Sequence, residues 1–105
     1  MLDAAGVDIA AGEYGFFIGA EVFADYADAM GRLFASRLPG WLPLNEPFCS
    51  AYIGHADGRH APGLTDVRYG VEAMHHLVLG HGLATLALRA HDDAPVGLVA
   101  NVCAV

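Results

Sequence analysis

The octapeptide WLPLNEPF, residues 41–48, joins a short apolar run to an amide and a carboxylate. Trp41 to Leu44 reads as a strand that Pro47 closes, so Asn45 and Glu46 stand at a strand's C-terminal end. Pro43 lies inside the run. Proline donates no ladder hydrogen bond, which places it on an edge or bulged strand.

Upstream, the Pro39-Gly40 pair ends a helix over residues 20–37. There Phe23, Tyr26, Met30, Phe34 and Arg37 recur at spacings of three and four, with Ala27 and Leu33 beside them. Before it, Gly12, Gly15 and Gly19 punctuate a loop carrying Glu13, Tyr14, Phe16 and Phe17. Val7 to Ala11 reads as a first strand, after a helical turn closed by Gly6. Downstream, a long Gly-rich loop runs from Pro47 to about Leu64.

Thr65 is the expected N-cap of a second long helix, with Asp66 in its first turn where the helix dipole favours a carboxylate. That helix extends to about Ala90. Val67, Val71, Met74, Val78, Thr85 and Leu88 form one apolar stripe. Ala73, Leu77, Gly80, Ala84 and Ala87 form another beside it, so much of the circumference is expected to be covered. HDDAP, residues 91–95, is a turn, and Val96 to Val102 is a near-continuous apolar run of the kind buried on both faces of a parallel sheet.

The order is strand, helix, strand, helix, strand. It predicts an α/β domain of about three parallel strands with two long right-handed crossover helices. Chemistry in such folds collects at the C-terminal ends of the strands. Glu13, the Asn45-Glu46 pair and Asn101 lie near such ends.

The 105 residues make one domain, 1–105. Hydrophobic residues are 55% and the mean hydropathy is +0.41, high for so short a chain. Either each element buries two faces or the molecule buries surface against a partner. The net charge is −7, and the five cations are scattered arginines rather than a phosphate-binding stripe, which argues against nucleic acid as a partner. No apolar run reaches the ~20 residues that span a bilayer, so no membrane is expected. MLDAAGVDIA lacks the basic region of a signal peptide. Cys49 and Cys103 form no CxxC motif and read as free thiols in a reducing, cytoplasmic compartment.

WLPLNEPFCSAYIG, GRHAPG, HHLVLGHGLATLALRA and PVGLVAN, in this order and spacing, resemble the middle of a glycoside hydrolase family 1 β-glucosidase. FADYADAMGRLFASRL is similar to the helix before the same strand in that family. The resemblance covers about residues 20–102. It implies a partial (β/α)8 (TIM) barrel, about three of eight strands, and retaining hydrolysis of β-D-glucosides with no cofactor. It implies Glu46 as general acid/base, Asn45 as ligand of the sugar 2-hydroxyl, and Phe48 and Cys49 near the aglycone. His60 looks like a loop-ordering position. The family's nucleophile, a Glu of a later strand, has no counterpart before Val105. Its sugar-binding Gln and the His-Trp pair before the NEP strand are also unmatched, and it usually has Thr where Pro43 stands.

Retaining hydrolysis needs two carboxyl groups ~5–5.5 Å apart. Glu13 is the candidate second carboxylate, because neighbouring strand ends lie ~4.7–4.9 Å apart. The histidines do not read as a metal site. His75 and His76 point about 100° apart on a helix, and His76 and His81 miss the i, i+4 spacing of helical zinc pairs. Trp41 reads as core, while Tyr52, Phe16 and Phe17 are open as a sugar platform. Three parallel strands leave two open edges, so a homo-oligomer is expected. Two functions remain: a β-glucosidase acting through Glu46 on a β-glucoside or small oligosaccharide, or an incomplete barrel fragment that folds, oligomerises and binds sugar at most weakly.

Overall fold

The computed structural model describes residues 13–102. The expected first strand, Val7–Ala11, and Cys103 lie outside them. Three helical elements follow in order: α1, Glu13–Phe34; a π-helix, Cys49–Ala56; and α2, Val67–Arg89.

The expected glycine-punctuated loop is corrected to helix. Glu13, Tyr14, Phe16 and Phe17 belong to the first turns of α1. Gly15 and Gly19 cost helix propensity but do not break the 3.6-residue repeat of apolar positions that continues into Phe23 and Ala27. Ala20, Ala27 and Gly31 are buried along this face. The facing residues of α2 are equally small. A Cβ added at Gly80 would lie 3.5 Å from the Ala20 Cα and 3.4 Å from the Phe23 ring, so the two backbones approach closely there. At the far end the His91 ring fills the space above Gly31, where a Cβ would sit 2.5 Å from the ring's Cδ2. His91 Nε2 bonds Asp28 Oδ1 at 2.8 Å, tying the end of α2 to α1.

The parallel segments are present in reduced form. Trp41 pairs with Val96 and Asn45 with Val99, both parallel, as isolated bridges, and no continuous strand forms among the described residues. α2 lies between these segments in the chain, which is the βαβ connection that parallel pairing requires. The register contains a bulge: four steps from Trp41 to Asn45 face three from Val96 to Val99. Trp41 N–H donates to the Pro95 carbonyl and Gly97 N–H to the Trp41 carbonyl, both at 2.9 Å. A regular ladder would next need an N–H at position 43, where Pro43 has none. Pairing resumes one residue late, with Val99 N–H on the Leu44 carbonyl at 3.2 Å and Glu46 N–H on the Val99 carbonyl at 2.7 Å. Pro43 thus sits in a bulge, as its chemistry requires.

The N-cap of α2 is Asp66, one residue later than expected. Its extended backbone lets the side chain accept from Arg68 N–H at 2.9 Å. The large-residue stripe of α2 is split: Met74 and Leu88 pack inward, while its valines are turned out. Val67, Val71 and Val78 are 63%, 65% and 53% exposed, and Leu86 is 67% exposed. The small-residue stripe is the buried one, with Ala73 and Ala84 at 0%. Alanine and glycine bring α2 against its neighbours, Met74, Leu77 and Leu88 pack beside them, and Val67, Val71, Val78 and Leu86 are turned away. Among the described residues the buried apolar ones are Ala20, Ala27, Ala51, Ala73, Ala84 and Leu88, so one leucine is the only large side chain in that set. Trp41 packs half-buried against the Ala27–Ala84–Leu88 cluster, as expected of a core position.

Candidate active site

Glu46 stands where the bulged segment ends and the next helix begins. Its φ is +47°, in the left-handed region that costs a side-chain-bearing residue roughly 1–2 kcal/mol. Two backbone bonds hold it there. Its N–H donates to Val99, and its carbonyl accepts from Cys49 N–H at 2.9 Å. The bulge and this left-handed turn together set the direction of the Glu46 side chain. Asn45, one residue earlier, is exposed and carries the bridge to Val99.

Glu46 is half-buried, and the Cys49 Sγ lies 3.6 Å from its Oε2, so the thiol donates to the carboxylate. Burial pushes the Cys49 thiol above its ordinary range, and the hydrogen bond to Glu46 acts in the same direction. Phe48 stacks on Tyr52 with ring centroids 5.0 Å apart and planes 11° from parallel. That pair lines one wall of an open groove of about 400 Å³, with Val67, Val71, Met74 and His75 of α2 opposite. The groove adjoins the Glu46 turn through Phe48. Asn45, Glu46, Phe48 and Cys49 are thus gathered at one corner by their proximity in sequence. Glu13 opens α1, and the strand expected to carry it lies outside the described residues. Asn101 is exposed and lies beyond the last bridge.

The expected long loop after Pro47 is also corrected. Cys49–Ala56 is a π-helix whose wide turns show in the bond from Asp57 N–H to the Tyr52 carbonyl, at 2.9 Å. A helix end leaves its last carbonyls without partners. Here the following segment folds back and supplies the donors. His60 N–H bonds the Ile53 carbonyl at 3.1 Å, Leu64 N–H bonds Gly54 at 3.0 Å, and Asp66 N–H bonds His55 at 3.2 Å. Gly58 and Gly63, with φ of +82° and +80°, give this return path its left-handed turns. The His-Ala-Pro-Gly run, with a cis bond between Ala61 and Pro62, is therefore the cap of the π-helix, and His60 orders it through its backbone.

The buried His55 is a residue that sequence reading placed in the loop after Pro47 and gave no role. It is 1% exposed, and its Nδ1 donates to the Ser50 carbonyl at 2.7 Å, bracing the π-helix from within. Its signal was only a histidine in an apolar run. His75 and His76 meet edge to face, and His76 Nδ1 donates to the Glu72 carbonyl at 2.9 Å. No cluster of three or more His, Cys, Asp or Glu residues suited to a metal occurs among the described residues. None of their helices is long and apolar enough to cross a membrane.

Two isolated parallel bridges, separated in the chain by α2, leave the Asn45-Glu46 pair at the end of the first bridged segment. Comparison with known proteins gives the family. Residues 10–105 match Glycosyl hydrolase family 1, and the chain belongs to that family. It is 36% identical over 83 residues to β-glucosidase A of Thermotoga maritima, covering 78% of this chain and 19% of that protein. It is 43% identical over 84 residues to thermostable β-glucosidase B of Thermobispora bispora, covering 79% and 17%. Among solved structures it is similar to a Thermotoga maritima family 1 glycoside hydrolase complexed with a cyclophellitol analogue transition state mimic. The TM-score is 0.80 at 33% identity, over 90% of this chain and 21% of that one. The chain spans about a fifth of the length of these relatives.

Proposed function

We propose that this chain is the acid/base-bearing part of a retaining β-glucosidase, a fragment of a (β/α)8 barrel, with Glu46 as the general acid/base. The observation that carries the reading is the placement of Glu46 in a strained left-handed turn at the end of a parallel segment, directly after Asn45. Strain of this kind persists where the surrounding structure over-determines it, and it collects at functional sites. Glu46 protonates the glycosidic oxygen as the aglycone leaves, then takes a proton from the water that releases the sugar. Asn45 binds the sugar 2-hydroxyl. Phe48 and Cys49 face the aglycone, with the Phe48–Tyr52 stack as an apolar wall. Thermotoga maritima relatives have been solved with isofagomine lactam and with deoxynojirimycin, which supports a sugar-sized ligand. Glu13 enters this reading as the residue to test for the second carboxylate.

The measurement is release of nitrophenol from a nitrophenyl β-glucoside by the purified protein beside Glu46→Gln. Hydrolysis lost in the variant, with helicity unchanged, supports the reading. Unchanged hydrolysis in Glu13→Gln removes Glu13 from the mechanism. A second reading is favoured by the alanine-built core and the exposed large apolar residues. It is a barrel part that folds, associates with copies of itself and binds sugar weakly without turnover. Absence of nitrophenol release from the starting protein selects it.

A further inference from the structure

Both hydrogen-bond donors of Cys49 are directed at the same residue. Its N–H bonds the Glu46 carbonyl at 2.9 Å, and its S–H reaches the Glu46 carboxylate at 3.6 Å. The first bond fixes the backbone of the left-handed turn, and the second fixes the end of the side chain. Glu46 carries two further constraints, its N–H on Val99 and its positive φ. The side chain has three rotatable bonds, and among the described residues the Cys49 thiol is its recorded hydrogen-bond partner. The thiol is half-buried at the start of the π-helix, whose carbonyls at positions 53–55 are bonded by His60, Leu64 and Asp66 N–H.

We propose that Cys49 is a positioning residue for the acid/base: its thiol, donated to the Glu46 carboxylate, holds that group in one orientation at the end of the bridged segment. The proposal rests on the reading of Glu46 as acid/base but is tested apart from it. A sulfur donor suits the task because its hydrogen bond is weak. It orients the carboxylate without strongly resisting the proton that Glu46 must take up and give away in each cycle.

The first experiment reads the contact without any turnover. In a Cys103→Ser background, alkylation by iodoacetamide is followed against pH, with Glu46 present and as Glu46→Gln. The contact predicts that the thiolate midpoint of Cys49 moves down in Glu46→Gln, because a neutral amide no longer opposes the thiolate. An unchanged midpoint overturns the proposal. The second experiment compares Cys49→Ser and Cys49→Ala on the nitrophenyl β-glucoside. Alanine is expected to lower kcat about tenfold with KM little changed, and serine, which keeps a donor, to recover most of it. Equal kcat in the alanine variant and the starting protein overturns the positioning role. If the starting protein does not hydrolyse the glucoside, the enzymatic reading fails, and the alkylation profile still decides whether the thiol holds the carboxylate.

Discussion

At the scale of the residue, Glu46 shows a cost accepted for placement. A left-handed backbone suits asparagine far better than a residue with a long side chain. Glu46→Asn is therefore expected to raise stability by about 1 kcal/mol in urea unfolding while abolishing any hydrolysis. Equal or lower stability in the variant would mean that the turn is not strained by Glu46. Other single residues were legible in the sequence for the same kind of local reason. Pro43 announced an edge or a bulge because it lacks a donor, and the register slips at that position. The Asn45-Glu46-Pro47 run announced the end of the pairing. The cap of α2 moved from Thr65 to Asp66 because both side chains can cap and the choice rests on which backbone is extended.

At the scale of the element, α2 carries two apolar stripes whose relative burial periodicity does not rank. Tertiary contact chose the one made of Ala73, Gly80 and Ala84, since small side chains let helices approach and maximise contact along their length. Leu88, a member of the other stripe, turns inward to close this interface, 3% exposed and packed with Ala27 and Ala84. Leu88→Ala is expected to cost about 2–5 kcal/mol by urea unfolding. Leu86→Ala, two residues away and 67% exposed, is expected to change stability by no more than about 0.5 kcal/mol. Similar losses at both positions would refute this division of the helix. The π-helix was not legible. Its wide turns are held by donors from the segment that follows, and those donors arrive only once the chain has turned back over Gly58 and Gly63.

At the scale of the whole molecule, the apolar composition and the structure meet in one consequence. A chain with 55% hydrophobic residues buries five alanines and one leucine among its described apolar positions. Val71, Val78 and Leu86 stay largely in water on one helix, and Phe48 and Tyr52 border an open groove. Contiguous exposed apolar surface marks interaction sites. Light scattering is expected to give a mass above the 11.0 kDa of one chain, falling toward it in a Val71→Glu, Leu86→Glu variant of unchanged helicity. A single-chain mass across a wide concentration range would refute association.

By itself the sequence determined the two long helices, the turn at residues 91–95 and the family. All of these follow from local periodicity, punctuating residues and ordered motifs. The tertiary structure alone decided which stripe of α2 is buried, that residues 49–56 coil as a π-helix, and that the Cys49 thiol meets the Glu46 carboxylate. Those outcomes depend on distances between groups whose preferences are individually compatible with several arrangements. Only the packed chain, with its close helix approach and its slipped register at Pro43, selects among them.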